Sequence, residues 1–517
     1  MGWKYSAMTS EPSQQAVFDF LGSPATHGGS PVKRIDTHAS SVFLAGDRAL
    51  KVKRAVRFPF LDFSTLQKRK AACDTEIAVN RAFAPAIYRR VIPITREQNG
   101  LFAIAGKGEP VEWAVDMRRF DENQTLDHLA EAGRIDDQLA EALGRAVAAA
   151  HRMAPTVSDA HFTDLVDHII SQNEAELAAE PDLVSLQDLR TLSSATRGAF
   201  ARVAPLLLAR ERAGLVRRCH GDLHLANIVL VAGEPVLFDA LEFDERLATG
   251  DVFYDLAFLL MDLVERGLVR AANIVLNRYL IETQRPHDLD ALAALPLFMS
   301  MRAAIRAKVT AARRKRGDSN SDIMDRARQY VTLAQKLLAP VKARLVAIGG
   351  LSGTGKSVLA RDLAPEILPL PGAVVLRSDI ERKMQFGVRE TDRLPQEAYA
   401  ADANAKVYGA LANKARRVIA AGHSAVVDAV FADPLERSAI ADSAPPAAFL
   451  GLFLTADFRT RIARVGGRKN DASDADEHVA ARQEQFALGK MNWTRIDASG
   501  SREETLIRAR AVLKFGE

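Results

Sequence analysis

The stretch Cys219-His220-Gly221-Asp222-Leu223-His224-Leu225-Ala226-Asn227 places an imidazole two residues before a carboxylate and an amide five residues after it. An apolar run, Ile228–Val231, follows, then a Gly233-Glu234-Pro235 turn and Val236-Leu237-Phe238-Asp239. A strand-turn-strand thus delivers a second carboxylate. Phosphoryl transfer asks for these groups in this order: one carboxylate to accept the proton of an attacking hydroxyl, and an amide with another carboxylate to hold Mg2+ on the phosphates of ATP. Asp222 is the expected base, and Asn227 and Asp239 are the expected metal ligands. The plainer alternative is a buried hairpin whose loop polars cap backbone groups. Three roles at workable spacing favour a kinase site.

A second phosphate site is written at Gly350-Leu351-Ser352-Gly353-Thr354-Gly355-Lys356-Ser357, a full G-x-x-x-x-G-K-S between an apolar strand at 344–348 and a helix at 358–363. In such a loop the backbone N–H groups and the helix N-terminus cradle phosphates. Lys356 meets the β- and γ-phosphates, and the Ser357 hydroxyl takes magnesium. Apolar strands at 374–376, 425–428 and 449–454 alternate with helices, which predicts a parallel sheet with phosphate bound at its carboxyl ends.

The first site needs a lysine on the α- and β-phosphates and a helical glutamate to hold it. Ser41–Ala45 and Arg48–Lys53 predict two strands joined at Gly46-Asp47, with Lys51 and Lys53 on one face and Leu50 and Val52 on the other. Ala49-Leu50-Lys51 resembles the Ala-Ile-Lys of the kinase lysine strand, so Lys51 is the choice and Lys53 the alternative. A helix at 66–84, with Ser64 as a candidate N-cap, supplies Glu76 as the partner. Lysines guarding a solvated edge strand are the competing account.

His220-Gly221-Asp222, with His224 and Asn227, resembles the aminoglycoside phosphotransferase-like family, the small-molecule relatives of protein kinases, and Asp251 to Ala257 matches the helix start that follows its metal aspartate. The resemblance implies an α+β bilobal protein-kinase-like fold with ATP between a sheet-rich and a helical lobe. It also implies an acceptor pocket in the helices preceding the catalytic loop, where Asp164, Asp167, Glu174, Glu176 and Glu180 stand. No G-x-G-x-x-G precedes the lysine strand; His38-Ala39-Ser40-Ser41 stands there instead.

The later half resembles the small P-loop kinases: polynucleotide 5′-kinases, chloramphenicol phosphotransferase, zeta toxins and gluconate kinase. That likeness implies an α/β P-loop NTPase fold with a parallel sheet. It implies that Asp379 activates the acceptor hydroxyl, where a helix N-cap is the bland alternative, and that Arg382 contacts the acceptor. Arg464 and Arg468, around Gly466-Gly467, look like lid arginines closing over the transferring phosphate. The tandem order resembles a bacterial family described as aminoglycoside phosphotransferase fused to an ATP-binding domain.

A chain of 517 residues exceeds one core. The expected domains are 1–340, the phosphotransferase-like kinase, and 341–517, the P-loop kinase. Composition is that of a globular protein, 48% apolar and 26% charged, and the net charge of +4 does not argue for nucleic acid. Two distant cysteines, Cys73 and Cys219, no apolar signal core and no membrane span predict a cytoplasmic protein. The expected partner is a small-molecule hydroxyl acceptor, with no membrane. A 5′-end nucleic-acid kinase, helped by the basic run 313–316, and a regulatory protein in which one ATP domain gates the other are the alternatives.

Overall fold

Alternation along Arg48–Lys53 sets the frame of the first site. Leu50 and Val52 are fully buried against Val17, Phe18 and Leu21 of the helix Pro12–Gly22, which at about 1.5–3 kcal/mol per large apolar side chain pins that face. Lys51 and Lys53 must then point to the other face, where the helix Leu66–Phe83 packs through Cys73 and Ile77. The computed structural model describes residues 12–37, 39–58, 61–315, 322–466, 472–474 and 476–514. His38, Arg316, 318–321, Gly467, Arg468 and Asp471 lie outside them.

The compact units are Met1–Leu165 with Leu208–Leu259, and Val166–Leu207 with Leu260–Glu517. In the first, a six-stranded antiparallel sheet runs in the order Val32–Asp36, Ser40–Ala45, Arg48–Lys53, Glu109–Arg118, Tyr88–Arg96, Phe102–Ile104. The expected hairpin is present, with Ala45 opposite Arg48 and Gly46 at φ +56°. Thr65, not Ser64, caps the following helix, accepting from the Lys68 N–H; the Ser64 hydroxyl turns back to Asp62. A second hairpin, Ile228–Val231 with Glu234–Leu237, follows residues 220–227 and leads into Asp239.

In the second unit, five parallel strands run in the order Val374–Arg377, Ala425–Asp428, Leu345–Gly350, Phe449–Thr455, Thr494–Asp497. Leu345–Gly350 is central and wholly buried, the position that a near-continuous apolar run predicts for a parallel strand. An exposed edge strand would offer unpaired backbone groups to other chains, and the edge Val374–Arg377 is covered by the helix Val269–Thr283. Asn277 Oδ1 accepts the Val375 N–H at 2.6 Å, and the Asn273 and Asn277 amides donate to the Ala373 carbonyl at 3.0 and 3.2 Å. A two-residue asparagine ladder thus replaces a neighbouring strand. The fold is an α+β protein-kinase-like region followed by a P-loop α/β domain. No described helix is long and apolar enough to cross a membrane.

Candidate phosphoryl-transfer sites

Glu76 is fully buried and divides its carboxylate between two lysines. Oε1 lies 2.8 Å from Lys51 Nζ and Oε2 2.6 Å from Lys53 Nζ. Each ammonium has a second partner: Lys51 meets Asp239 Oδ1 at 2.6 Å, and Lys53 meets Glu242 Oε1 at 2.5 Å. Burial works against charge on Glu76, but Lys51 and then Lys53 outweigh it and hold the carboxyl down to about 2. Burial likewise disfavours charge on Lys51, yet Asp239 and Glu76 lift it well above the ordinary lysine value. The five groups form one cluster in which Lys51 reaches Asp239, itself 43% exposed, while Lys53 is 1% exposed and faces inward.

Asp239 sits at φ +57°, left-handed backbone that a non-glycine residue enters only under constraint. The constraint is visible. The Asp239 N–H donates to the Tyr88 hydroxyl at 3.1 Å, and the Ala240 N–H donates to Asn80 Oδ1 at 2.8 Å. The hairpin brings Asp239 beside Asn227, since the Phe238 N–H donates to the Asn227 carbonyl. The Asn227 amide donates to Asp222 Oδ2 at 3.0 Å, and His224 Nε2 lies 3.3 Å from the same oxygen.

The loop bearing Asp222 hangs from Asp255. Its carboxylate accepts the His220 N–H at 3.2 Å, the Gly221 N–H at 2.9 Å and His151 Nε2 at 3.1 Å. Gly221 has φ +81°, and a Cβ there would lie 3.0 Å from the side chains of Ala248 and Leu241, so glycine is required. Asp255, Tyr88 and Asn80 were given no role by sequence reasoning. Asp255 lies in the quoted 251–257 run, and that placement was the available signal; Tyr88 and Asn80 had none.

In the second unit the loop after Leu345–Gly350 turns at Gly353 (φ +87°) and Gly355 (φ +90°), and Gly355 caps the helix Lys356–Leu363. Lys356 Nζ donates to the Leu351 carbonyl at 3.2 Å, curling over the loop, and the Thr354 hydroxyl donates to the same carbonyl at 2.8 Å. Ser357 follows Lys356 in the first turn of that helix. Register sets Ile348 opposite Asp428 and Arg377 opposite Asp428, so Asp428 ends its strand between the phosphate loop and Asp379. Burial pushes the Asp379 carboxyl up; Arg377 opposes this, and Asp428 adds to it. The cap position of the helix Ser378–Gln385 is Arg377, not Asp379.

Arg382 is 5% exposed. It donates to the Ala398 carbonyl at 2.5 Å and lies 4.9 Å from the Tyr399 ring, while its Nε has no hydrogen-bond partner among the described residues. The structure does not bring Arg464 to the phosphate loop. Its guanidinium is spent on the carbonyls of Ala498 and Gly500, both at 2.7 Å. One helical turn earlier, Arg461 donates to the Ser352 carbonyl of the loop at 2.9 Å. Arg461 is buried and serves a backbone carbonyl, so it is not a lid arginine of the expected kind. Arg468 lies outside the described residues.

Two candidate sites of different architecture stand on one chain, and its class is a phosphotransferase domain followed by a P-loop kinase-like domain. Residues 56–295 match the phosphotransferase enzyme family, and residues 345–487 match an AAA domain. The chain belongs to the same family as uncharacterized protein Rv2004c of Mycobacterium tuberculosis (strain ATCC 25618 / H37Rv), with 30% identity over 490 residues, 92% of this chain and 94% of the relative. Uncharacterized protein Mb2027c of Mycobacterium bovis matches to the same extent. Among solved structures, a choline/ethanolamine kinase family protein from Mesorhizobium loti is 14% identical, covering 63% of this chain and 95% of its own, with a TM-score of 0.38. A gluconokinase from Sinorhizobium meliloti 1021 is 18% identical, covering 34% of this chain and 98% of its own, with a TM-score of 0.25. Those two likenesses carry no argument about mechanism.

Proposed function

We propose that the protein is an ATP-dependent phosphotransferase with two kinase modules, each passing the γ-phosphate to a hydroxyl of a small molecule. The observation that carries the reading is the Lys51 ammonium held between buried Glu76 and partly exposed Asp239, the arrangement that orients a cation toward phosphates. Asp222 accepts the acceptor's hydroxyl proton, and the Asn227 amide and His224 keep its carboxylate turned to that task. Asn227 and Asp239 are hard oxygen donors side by side, a set that fits Mg2+. When bound, the ion neutralises charge developing on the phosphates. In the P-loop module Lys356 and the loop N–H groups bind the phosphates, Ser357 and Asp428 offer oxygens for Mg2+, and Asp379 takes the acceptor proton. Burial poises Asp379 for that role. Arg382, with a buried donor to spare, meets the acceptor. Two buried cysteines that form no disulfide fit the reducing cytoplasm.

Calorimetric titration of the full chain with a non-hydrolysable ATP analogue tests this. Two sites are expected, one lost in Lys356→Ala and the other in Lys51→Met. A single site in the unmodified chain overturns the two-kinase reading.

A further inference from the structure

Ser352, the third residue of the phosphate loop, is gripped on both sides of its peptide. Its N–H donates to Gln483 Oε1 at 2.7 Å, and its carbonyl accepts from Arg461 Nε at 2.9 Å. Gln483 is the last residue of the helix Glu477–Gln483. Arg461 is tied to that same helix, donating to the Ala480 carbonyl at 3.1 Å and pairing with the Glu484 carboxylate. Arg461 is 2% exposed and Gln483 7%, so neither bond competes with bulk water. The next residue, Gly353, could carry no Cβ, which would lie 2.5 Å from the Arg461 carbonyl oxygen. The loop takes its shape against this helix.

Just before the helix, the chain touches the acceptor side. Asp474 accepts Lys383 Nζ at 2.7 Å, the Tyr399 hydroxyl at 2.7 Å and the Leu394 N–H at 3.0 Å. The Ser473 side chain hydrogen-bonds Asp379. Lys383 shares the helix Ser378–Gln385 with Asp379 and Arg382, and Arg382 lies against Tyr399. Asp476 caps the helix by accepting the Val479 N–H at 2.9 Å.

We propose that Ser473-Asp474 and the helix Glu477–Gln483 link the acceptor side to the phosphate loop, with Gln483 as the positioning residue that transmits the state of Asp474 to the Ser352 N–H. The inference rests on the reading of this module as a nucleotide-dependent kinase. Its consequence is thermodynamic: occupancy of the acceptor side changes nucleotide affinity, and nucleotide changes acceptor affinity by the same factor. A bond that only stabilised the fold would affect both variants independently.

The experiment is a double-mutant cycle on the full chain, with hydrogen exchange of peptides spanning 350–357 followed during titration with a non-hydrolysable ATP analogue and Mg2+. Asp474→Asn alters bonds to Lys383, Leu394 and Tyr399, none of them in the loop. It should nonetheless weaken analogue binding at this loop by about fivefold or more, within the usual range of allosteric coupling. Gln483→Leu should weaken it comparably, and adding Asp474→Asn to Gln483→Leu should weaken it no further. Gln483→Glu, which keeps an acceptor oxygen for the Ser352 N–H, should bind the analogue better than Gln483→Leu, and it serves if Gln483→Leu folds poorly. Additive effects, or unmodified affinity in Asp474→Asn, overturn the link while leaving the kinase reading intact. No protection of 350–357 in the unmodified chain overturns the nucleotide reading and the link together.

Discussion

Lys51 and Lys53 share Glu76, and replacing each in turn separates chemistry from stability. Lys53 is 1% exposed, Glu76 0% and Glu242 10%. Lys53→Met leaves Glu242 without its cation in a buried setting and Glu76 with only half of its compensation. Removing one partner of a buried pair costs about 3–5 kcal/mol, enough to lower the melting temperature by many degrees. Lys51 is 13% exposed, and its second partner Asp239 is 43% exposed, so water can take over part of what Lys51→Met removes. That stability cost should be well below the Lys53 value. The functional cost runs the other way, because a preorganised cation on developing phosphate charge is worth on the order of 10²–10³ in rate. The assay is thermal melting together with analogue binding and ATP turnover, all in a Lys356→Ala background so that only the first site reports. Lys53→Met abolishing nucleotide use at an unchanged melting temperature, with Lys51→Met doing the reverse, would refute the assignment.

Asp222→Asn keeps an acceptor oxygen for Asn227 and His224 but loses the base; turnover at the first site should fall by about 10²–10⁴ with analogue affinity little changed, as single-turnover kinetics would show. Arg464→Ala removes charged donors from two backbone carbonyls, so it should cost about 1–3 kcal/mol of stability by urea unfolding while leaving kcat of the second module near normal. Arg461→Ala should lower both. His423 is wholly buried, with its ring on the Gly372 carbonyl, and burial holds its value down to about 4 against 6.5 for the free side chain. The unfolded chain therefore binds the extra proton. The stability contributed by neutral His423 is complete above pH ~6.5 and is lost as pH falls toward ~4, by roughly 3 kcal/mol in all. Stability against pH in His423→Gln should lack that slope.

What the sequence disclosed, and what it hid, divides along contact range. The glycine-rich loop 350–357, the lysine hairpin and the strand-turn-strand that brings Asp239 beside Asn227 were legible because they lie in local spacing: a turn glycine, a two-residue strand period, a helix start. Which of Lys51 and Lys53 reaches Asp239 was not legible, since both lie on one strand face and Asp239 stands 188 residues away in sequence. Arg461 and Arg464 pose the same problem on one helix. One meets Ser352 and the other meets Ala498, and no pattern within the helix says which. Asp255 and Gln483 act by accepting backbone N–H groups from distant loops, a role that any aspartate or glutamine could fill, so residue type alone gave no lead.

The same reasoning bears on the acceptor's charge. A polycationic acceptor needs carboxylates whose charge is not already balanced, and the helices preceding the catalytic loop are acidic enough in sequence to have offered them. Three of those acids are paired within the second unit. Glu174 takes Arg197 Nε at 2.9 Å, Asp167 lies 3.6 Å from the same guanidinium, and Glu176 pairs with Lys308 at 3.0 Å. A polyamine would have to compete with Arg197 and Lys308 for those carboxylates, at a surface where each ion pair is worth under about 1 kcal/mol. We therefore expect a neutral polyhydroxyl acceptor, of the sugar type, to serve the first module better than an aminoglycoside. Phosphorylation of neutral sugars and of aminoglycosides by the Lys356→Ala chain, compared at low salt where attraction to a polycation is least screened, decides it. Faster turnover of an aminoglycoside would refute that expectation.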